Sequence, residues 1–327
     1  MAFLEEANCI DDLLNGVHKA IMSGGIENSP TKGKNLEILG ACLILTDPTK
    51  RVSRTESRSK IISCLGEFLW YLTGSNDLSF IHHYIPKYID YAEEDGKVHG
   101  GYGSRLFNMH NMYNQIENII SLLKNKKTSR RALIQLFDSS DLVSKDNNGL
   151  SEYKDIPCTV SLQFLIRENK LHLFSNMRSN DAFMGLTHDI FAFTMIQEFV
   201  ARILQCELGN YYHFVSSMHL YEKDFEKINN LQKEGFMSTR SIMDVMPAID
   251  TLDYRFKLLN IEKELRDNKL YDLDSVELND YWKDLMRIIK IHFLLKENNP
   301  LYSNEAKVEL GKLVNSSYEI FLKENKK

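Results

Sequence analysis

The alternation of apolar and polar residues predicts strands in the first two thirds of the chain. Residues 36–46 (LEILGACLILT) form an apolar run rich in strand formers, and Asp47-Pro48 closes it, which indicates a buried strand that ends in a turn. Residues 160–166 alternate apolar and polar side chains, and the turn-like residues 167–170 lead into residues 171–177. The pattern therefore predicts a β-hairpin that begins directly after Cys158.

Helical spacing appears on both sides of these strands. Apolar residues recur with helical period over residues 57–72, and Gly74 follows where a helix terminator is expected. Residues 186–208 are apolar nearly all round, so we expect a central buried helix capped by Gly209. Residues 260–297 are predicted to form amphipathic helices.

These elements predict an α+β fold in which helices pack on a central sheet. A short strand is expected at residues 132–137, followed by a surface loop at residues 139–154. Beyond Tyr221 the composition becomes charged and leucine-rich. We therefore predict a catalytic domain of residues 1–225 and a helical C-terminal extension of residues 226–327 that packs on it.

Composition narrows the classes of function. The 327 residues are 43% hydrophobic and carry a formal net charge of −5, which gives no overall attraction to nucleic acid or to an anionic membrane. The five cysteines lack the spacing of a zinc site and do not suggest a disulfide framework. The acidic N-terminal segment lacks a signal-peptide pattern, so we expect a cytoplasmic protein.

Cys158 is the first candidate catalytic residue. It lies between a proline and a threonine at the start of a predicted strand, which places its thiol at a strand edge. The alternative is a small buried side chain. Arg178, in the sequence MRSND, would lie nearby, lower the thiol pKa and bind phosphate. Otherwise Arg178 pairs with Asp181 in a polar turn.

Three further groups have both a structural and a functional interpretation. Glu67 lies in an apolar helix, where it either faces outward or is buried with a partner and a raised pKa. The pair Arg130-Arg131 is either solvated or a phosphate clamp. His219 and Tyr221 would share one strand face and either bind a sugar hydroxyl or be satisfied within the core.

Six segments, in order across residues 36–225, together resemble the thymidylate synthase family. They are GEFLWYLTGSND, similar to that family's glutamate helix, YGSRLF, similar to its Tyr-Gly segment, SRR, similar to its paired arginines, PCT, similar to its nucleophile site, RSNDAFMGLTHD, similar to its Arg-Ser-x-Asp stretch, and HLY, similar to its His-x-Tyr sugar contact. The probability that six such motifs occur in this order by chance is very small.

The resemblance implies a folate-dependent enzyme in which the Cys158 thiolate attacks C6 of a pyrimidine nucleotide. It implies an obligate homodimer, with Arg130 and Arg131 of one subunit reaching the phosphate bound in the other, and methylenetetrahydrofolate as one-carbon donor. The residues it implies are Glu67 for proton transfer, Tyr102, Arg178, Ser179, Asn180, His219 and Tyr221 for the nucleotide, and Asp181 and Gly185 for folate.

Several positions depart from the synthase pattern. Asp189 stands where a synthase has the asparagine that reads uracil, and a carboxyl group matches the cytosine edge better. Thr159 replaces the histidine after the nucleophile. Arg105-Leu106 and Ala192 also differ. The pair Cys158-Thr159 and the sequence NMRSND resemble the deoxycytidylate hydroxymethylases. Together with Asp189, this resemblance leads us to expect 5-hydroxymethylation of dCMP or CMP.

Two alternatives remain open on the sequence alone. A thymidylate synthase or a cytidylate C5-methylase would share the nucleophile but deliver hydride after one-carbon transfer. A catalytically silent nucleotide-binding regulatory protein would share the fold, but it would need neither Cys158 nor Glu67.

Overall fold

The computed structural model describes residues 2–30, 33–53, 60–142, 153–234, 243–297 and 299–322. The predicted start of the first long helix, at residues 57–59, and most of the predicted loop at 139–154 lie outside the described residues.

The strands of the described residues belong to one mixed sheet. They are β1 (Phe3–Ala7), β2 (Ile26–Asn28), β3 (Asn35–Leu45), β4 (Leu133–Gln135), β5 (Thr159–Arg167), β6 (Lys170–Asp181) and β7 (Glu207–Tyr221). The order is β1-β3-β7-β6-β5-β4, and β2 pairs with β3. The β6–β7 and β1–β3 pairs are parallel and the others antiparallel.

Helices cover one side of this sheet and continue into the C-terminal region. They are α1 (Ile10–Gly24), α2 (Ile61–Thr73), α3 (Leu78–Ile81), α4 (Tyr102–Phe107), α5 (Gln115–Asn125), α6 (Gly185–Ile203), α7 (Phe225–Lys233), α8 (Tyr254–Asp267), α9 (Asp280–Lys296) and α10 (Pro300–Leu310). The predicted α+β class is confirmed.

The central helix α6 organises the core. Most of its side chains are buried, including Phe193 and Ala192, because α1, α2, β6, β7 and α9 pack around it. The predicted extension of this helix to residue 208 with a cap at Gly209 is wrong. The helix ends at Ile203, Gln205 adopts a positive φ, and Gly209 lies inside β7.

The hairpin of β5 and β6 forms as predicted. Glu168 and Asn169 adopt positive φ values of 49° and 59° at its two-residue turn, the backbone twist that matches two paired strands. Cys158 lies directly before β5. The hairpin therefore places Cys158 beside the far end of β6, because Thr159 pairs with Met177.

The strands at the centre of the sheet change face near this end. In β6 the buried positions are odd-numbered up to Met177, after which Asn180 is buried; in β7 they are odd-numbered up to Val215, after which Met218 is buried. Gly40 of the adjoining β3 has a φ of +72°, a conformation that glycine adopts readily. Because a strand normally alternates, this shift turns a different set of side chains toward the helices.

The C-terminal helices pack on the same core. Trp282 of α9 is buried with its ring 6.5 Å from that of Phe199 of α6. Glu309 of α10 forms ion pairs with Arg287 and Lys290 of α9. Packing of this region on the core agrees with the expectation, while the division of the chain at residue 225 stays a prediction. None of the helices described combines the length and apolar character of a membrane span.

One buried ion pair crosses the core. Arg51 and Glu198 of α6 have fully buried side chains and form a hydrogen-bonded pair, and Glu198 also accepts from the backbone N–H of Met246 at 2.9 Å. Without Arg51, Glu198 keeps the partly exposed Arg202 at 3.3 Å from its Oε1 but loses its fully buried cation, and burying a poorly compensated charge is costly.

Replacing this cation should destabilise the protein. We expect Arg51→Met to lower the free energy of unfolding by about 3–5 kcal/mol, measured by urea denaturation. Lys263→Met, which removes an exposed i,i+4 pair with Asp267, is the control and should cost about 0.5 kcal/mol or less. Equal effects from the two variants would contradict the assigned role of Arg51.

Candidate active site

The candidate nucleophile lies where β5 and β6 come together. The backbone N–H of Arg178 donates to the carbonyl of Cys158 at 2.9 Å, and Ser179 Oγ lies 3.6 Å from Cys158 Sγ. The Cys158 side chain is half-buried. The structure thus brings three of the predicted site residues together, with the thiol at a strand edge.

The thiol rests in its protonated form. Burial raises the pKa of Cys158 and the charge of Asp155 adds to that effect, while the Arg178 guanidinium and the hydrogen bond from Ser179 lower it. The predicted influence of Arg178 is present but smaller than burial, so the net direction is upward. A raised pKa means that the thiolate must be generated during the reaction.

Arg178 is oriented by backbone carbonyls of the segment before the nucleophile. Its Nε donates to the carbonyl of Pro157 at 3.0 Å and one terminal nitrogen donates to that of Ile156 at 2.9 Å. Its alternative pairing with Asp181 is not observed. Asp181 Oδ1 instead accepts from the backbone N–H groups of Phe183 and Met184. Arg178 remains exposed and available to an anion.

Asp189 is the fifth residue of α6, and its carboxyl group faces the same site. Its Oδ2 accepts a hydrogen bond from Asn180 Nδ2 at 2.7 Å. Burial, followed by the charge of Glu67, raises the pKa of Asp189 to about 8, against a smaller lowering by Asn180. Asp189 is therefore mostly protonated at neutral pH and can both donate and accept a hydrogen bond.

Glu67 of α2 is buried, at 5% exposure. Its Oε1 accepts from the hydroxyl of Tyr88 at 2.6 Å, whereas no partner within the described part of the chain meets its Oε2. The outward-facing alternative is therefore wrong. A buried carboxylate oxygen without a protein partner is a suitable contact for water or substrate.

Tyrosines line the space between these carboxylates. The rings of Tyr71 and Tyr102 lie 5.3 Å apart, and Tyr102 stacks on Phe193 at 5.9 Å. The Tyr102 hydroxyl accepts from the backbone N–H of Thr159 at 3.0 Å and lies 2.9 Å from the Thr159 hydroxyl. Thr159, which departs from the synthase pattern, therefore fixes a wall of the site.

The other predicted residues occupy different positions around this centre. His219 and Tyr221 lie on β7, with rings 5.0 Å apart, and Asp181 is the register partner of His219. Gly185 begins α6, where a Cβ would come within 2.9 Å of Asn180 Nδ2. Arg130 and Arg131 are exposed just before β4. No contact of the described residues joins this pair to Cys158 within one chain.

Arg105, noted as a departure from the synthases, has a structural role. Its guanidinium donates to both carboxylate oxygens of Asp141, at 2.7 and 2.9 Å, and to the carbonyl of Leu136 at 2.7 Å. Burial alone would raise the pKa of Asp141, but hydrogen bonds from His99 and Arg105 outweigh it and hold that pKa well below its usual range. The pair anchors α4, which carries Tyr102.

Sequence reasoning missed four residues of this region: Tyr88, Asp155, Tyr211 and His213. Tyr88 and Asp155 lie in segments without helical or strand periodicity, so no pattern marks them. Tyr211 and His213 carry one detectable signal, since two polar-tipped rings recur with strand period in an apolar segment.

The sequence of this chain is similar to those of known proteins. The sequence model of the thymidylate synthase family matches residues 19–284. Similar proteins include a deoxyuridylate hydroxymethyltransferase of Delftia phage PhiW-14, 27% identical over 57% of this chain, and thymidylate synthases of Francisella philomiragia and Bacillus mojavensis, 25% and 26% identical over 62% and 61% of it. The matches span 53% of the phage protein and 77% and 72% of the two synthases.

The family match covers most of the chain and includes every segment of the candidate site. Enzymes of this family are one-carbon transferases that act at C5 of a pyrimidine nucleotide and use methylenetetrahydrofolate as co-substrate. The ordered motifs, the mixed sheet and the Cys158 site agree with that match. The chain therefore belongs to the thymidylate synthase family.

Proposed function

We propose that this protein is a hydroxymethyltransferase that converts a cytidine monophosphate, dCMP or CMP, to its 5-hydroxymethyl derivative. The observation that carries the proposal is Asp189, a carboxyl group with a pKa raised to about 8 at the base-reading position. The proposed enzyme shares its nucleophile and phosphate-binding residues with a thymidylate synthase. It differs from a synthase in the base that it binds and in the final step of the reaction.

Hydrogen-bond matching explains the preference for cytosine. Cytosine presents an N4 amino donor beside an N3 acceptor, and a protonated carboxyl accepts from the first and donates to the second. Uracil presents an O4 acceptor beside an N3–H donor. Uracil is disfavoured when the acid proton lies on the oxygen that faces N3, because N3–H then meets a donor and O4 meets an acceptor.

Cys158 is proposed as the covalent nucleophile. Its sulfur forms a bond to C6 of the base, which makes C5 nucleophilic, and this splits one difficult substitution into two easier steps. Methylenetetrahydrofolate supplies the one-carbon unit when it is bound. Glu67 is proposed to orient water and move protons near C5, and its Oε2, which has no partner among the described residues, supports this role.

The remaining roles follow from which groups are left available. Arg178 and Ser179 lie beside Cys158 and are proposed to bind the phosphate, with His219 and Tyr221 on the sugar. Asp181 uses Oδ1 for the backbone before α6, so Oδ2 remains for N–H groups of a pterin. A carboxylate acceptor suits the N–H groups of folate, and Gly185 at the start of α6 is proposed as a second folate contact.

A second copy of the chain is proposed to complete the site. Exposed apolar side chains lie on strands of the sheet: Leu39 on β3, Leu133 on β4, Val160 on β5 and Phe214 on β7. Exposed apolar side chains on a sheet face are typical of a protein interface. Arg130 and Arg131 lie next to Leu133, at the edge of this face, where they would reach a phosphate in the partner.

The alternative of a thymidylate synthase or a cytidylate C5-methylase rests on the two synthase relatives. The name of the phage relative supports hydroxymethyl transfer but refers to a uracil nucleotide. The cytosine assignment therefore depends on Asp189. Products distinguish the reactions, since hydroxymethylation yields tetrahydrofolate and methylation yields dihydrofolate. A silent nucleotide-binding protein would leave C5 hydrogen unexchanged.

Replacing the nucleophile should abolish turnover without abolishing binding. We expect Cys158→Ser to lower the turnover of a cytidine monophosphate by at least about a thousandfold, measured by tritium release from C5. Nucleotide affinity should persist because it depends on arginines and the base edge. Cys206→Ser, a buried cysteine far along the chain, is the control, and wild-type exchange by Cys158→Ser would exclude covalent catalysis by this residue.

Replacing Asp189 should change base choice and pH dependence. We expect Asp189→Asn to move the ratio of kcat/KM for cytidine over uridine monophosphates by about tenfold or more toward uridine. Wild-type activity on cytidine should fall above pH 8, as the carboxyl loses the proton it donates, and the variant should lack this decline. An unchanged ratio across CMP, dCMP, UMP and dUMP would exclude base reading by Asp189.

Hybrid dimers test the shared site. Arg131→Ala should weaken phosphate binding about tenfold, the loss expected for one charged hydrogen bond. Co-refolding it with Cys158→Ser should restore part of the activity, because one of the two sites then receives an intact arginine and an intact cysteine. Arg167→Ala replaces Arg131→Ala in the control mixture. No recovery with both variants folded would place the arginines outside the partner's site.

A further inference from the structure

Behind Asp189 lies a chain of buried polar side chains that the proposed reaction does not use. Asn180 Nδ2 is 2.7 Å from Asp189 Oδ2, His213 Nε2 is 3.0 Å from Asn180 Oδ1, and the Tyr211 hydroxyl is 2.7 Å from His213 Nδ1. Asn180 is 3% exposed, and His213 and Tyr211 are fully buried. Asn180 lies on β6, beyond the point where that strand changes face. Tyr211 and His213 lie on β7, before the point where β7 changes face.

With Asn180 Nδ2 facing Asp189, one tautomer of His213 lets every hydrogen bond of this chain run in the same direction. Burial lowers the pKa of His213 to about 3, so its ring is neutral and carries a single N–H. With that N–H at Nε2, the ring donates to the carbonyl of Asn180 and its Nδ1 accepts from the Tyr211 hydroxyl. Asn180 then donates to Asp189. Each group provides the hydrogen-bond partner that the next one needs, as buried polar atoms require.

The opposite direction would have a different consequence. If the Asn180 amide were reversed, its oxygen would accept the acid proton of Asp189 at Oδ2, its nitrogen would donate to His213 Nε2, and His213 would carry its proton on Nδ1. Asp189 would then spend its proton on the protein and have none for a base. The direction of the chain therefore decides what Asp189 offers to a nucleotide.

We propose that Tyr211, His213 and Asn180 are positioning residues that hold Oδ2 of Asp189 as a hydrogen-bond acceptor and leave its Oδ1 to carry the proton presented to the base. The proposal builds on the proposed function and names the residues that set its base specificity. Asn180, which the family resemblance assigns to the nucleotide, acts in this arrangement through Asp189 because both ends of its amide are bonded within the protein.

Other ionisable groups also act on Asp189, so the test must separate their influence from that of the chain. They come from α2 (Glu67, Tyr71), α4 (Tyr102), β6 (Asp181), β7 (Tyr211) and the segment before β5 (Cys158). Substituting Asn180 leaves all of these in place and removes the donor to Oδ2 together with the acceptor for His213 Nε2.

The tautomer of His213 tests the direction without any nucleotide. Protein labelled with ¹⁵N-histidine distinguishes protonated from unprotonated ring nitrogens, and the His213 signals are assigned from their absence in His213→Gln. We expect the proton on Nε2. A proton on Nδ1 would overturn the proposal. Because this measurement uses the free protein, it is independent of which nucleotide the enzyme prefers.

Variants test the consequence for Asp189. Difference infrared spectroscopy follows its protonated carboxyl band, assigned with Asp189→Asn, as pH is varied. We expect Asn180→Ala to raise the pKa of Asp189, because a hydrogen bond to the charged form is lost, and to lower kcat/KM on the preferred nucleotide about tenfold. His213→Gln keeps an N–H donor toward Asn180 and should retain more of the activity than His213→Phe.

Gln197→Ala is the matched control. Gln197 lies on α6, the helix that carries Asp189, and its fully buried carboxamide donates to backbone carbonyls of the described residues. It should reduce stability and leave the pKa of Asp189 unchanged. An unchanged pKa in Asn180→Ala, or equal shifts in the two variants, would overturn the proposal. A wild-type preference for uridine nucleotides would instead overturn the cytosine assignment and leave the tautomer result standing.

Discussion

The site depends on the change of face in the two central strands. Up to Met177 and Val215, odd-numbered side chains enter the core, and beyond them Asn180 and Met218 do so. Because of this shift, Ser179 lies against Cys158 while its neighbour Asn180 reaches Asp189. An unbroken alternation would place Asn180 on the opposite face and leave Asp189 without its donor.

Burial then determines the chemistry of the groups that meet there. It raises the pKa values of Cys158 and Asp189 and lowers that of His213, so the resting site contains a thiol, a carboxylic acid and a neutral imidazole. The charge of Arg178 acts against burial at Cys158 without outweighing it. Fixed polar groups in a site of low dielectric interact strongly, which makes their orientation as important as their identity.

The neighbouring structure keeps these groups in place. Arg178 is held by the carbonyls before Cys158, and Asp181 binds the backbone at the start of α6, where Asp189 lies. Arg105 and Asp141 anchor the helix that carries Tyr102. Backbone contacts therefore determine the positions of Arg178 and Asp181, and side-chain contacts those of Asp189 and Glu67. Catalysis by positioning requires such fixed groups.

The sequence by itself determined the fold class, the hairpin before which Cys158 lies, the apolar helices and the ordered motifs, because periodicity and local turn residues act over short distances. Only the tertiary structure decided that α6 ends at Ile203, that Arg178 binds carbonyls instead of Asp181, and that Tyr211, His213 and Asn180 meet behind Asp189. The contacts of Arg178 and Asn180 are between residues that are distant in sequence, which local patterns do not predict. The pKa of Asp189 follows from burial, which no local pattern encodes.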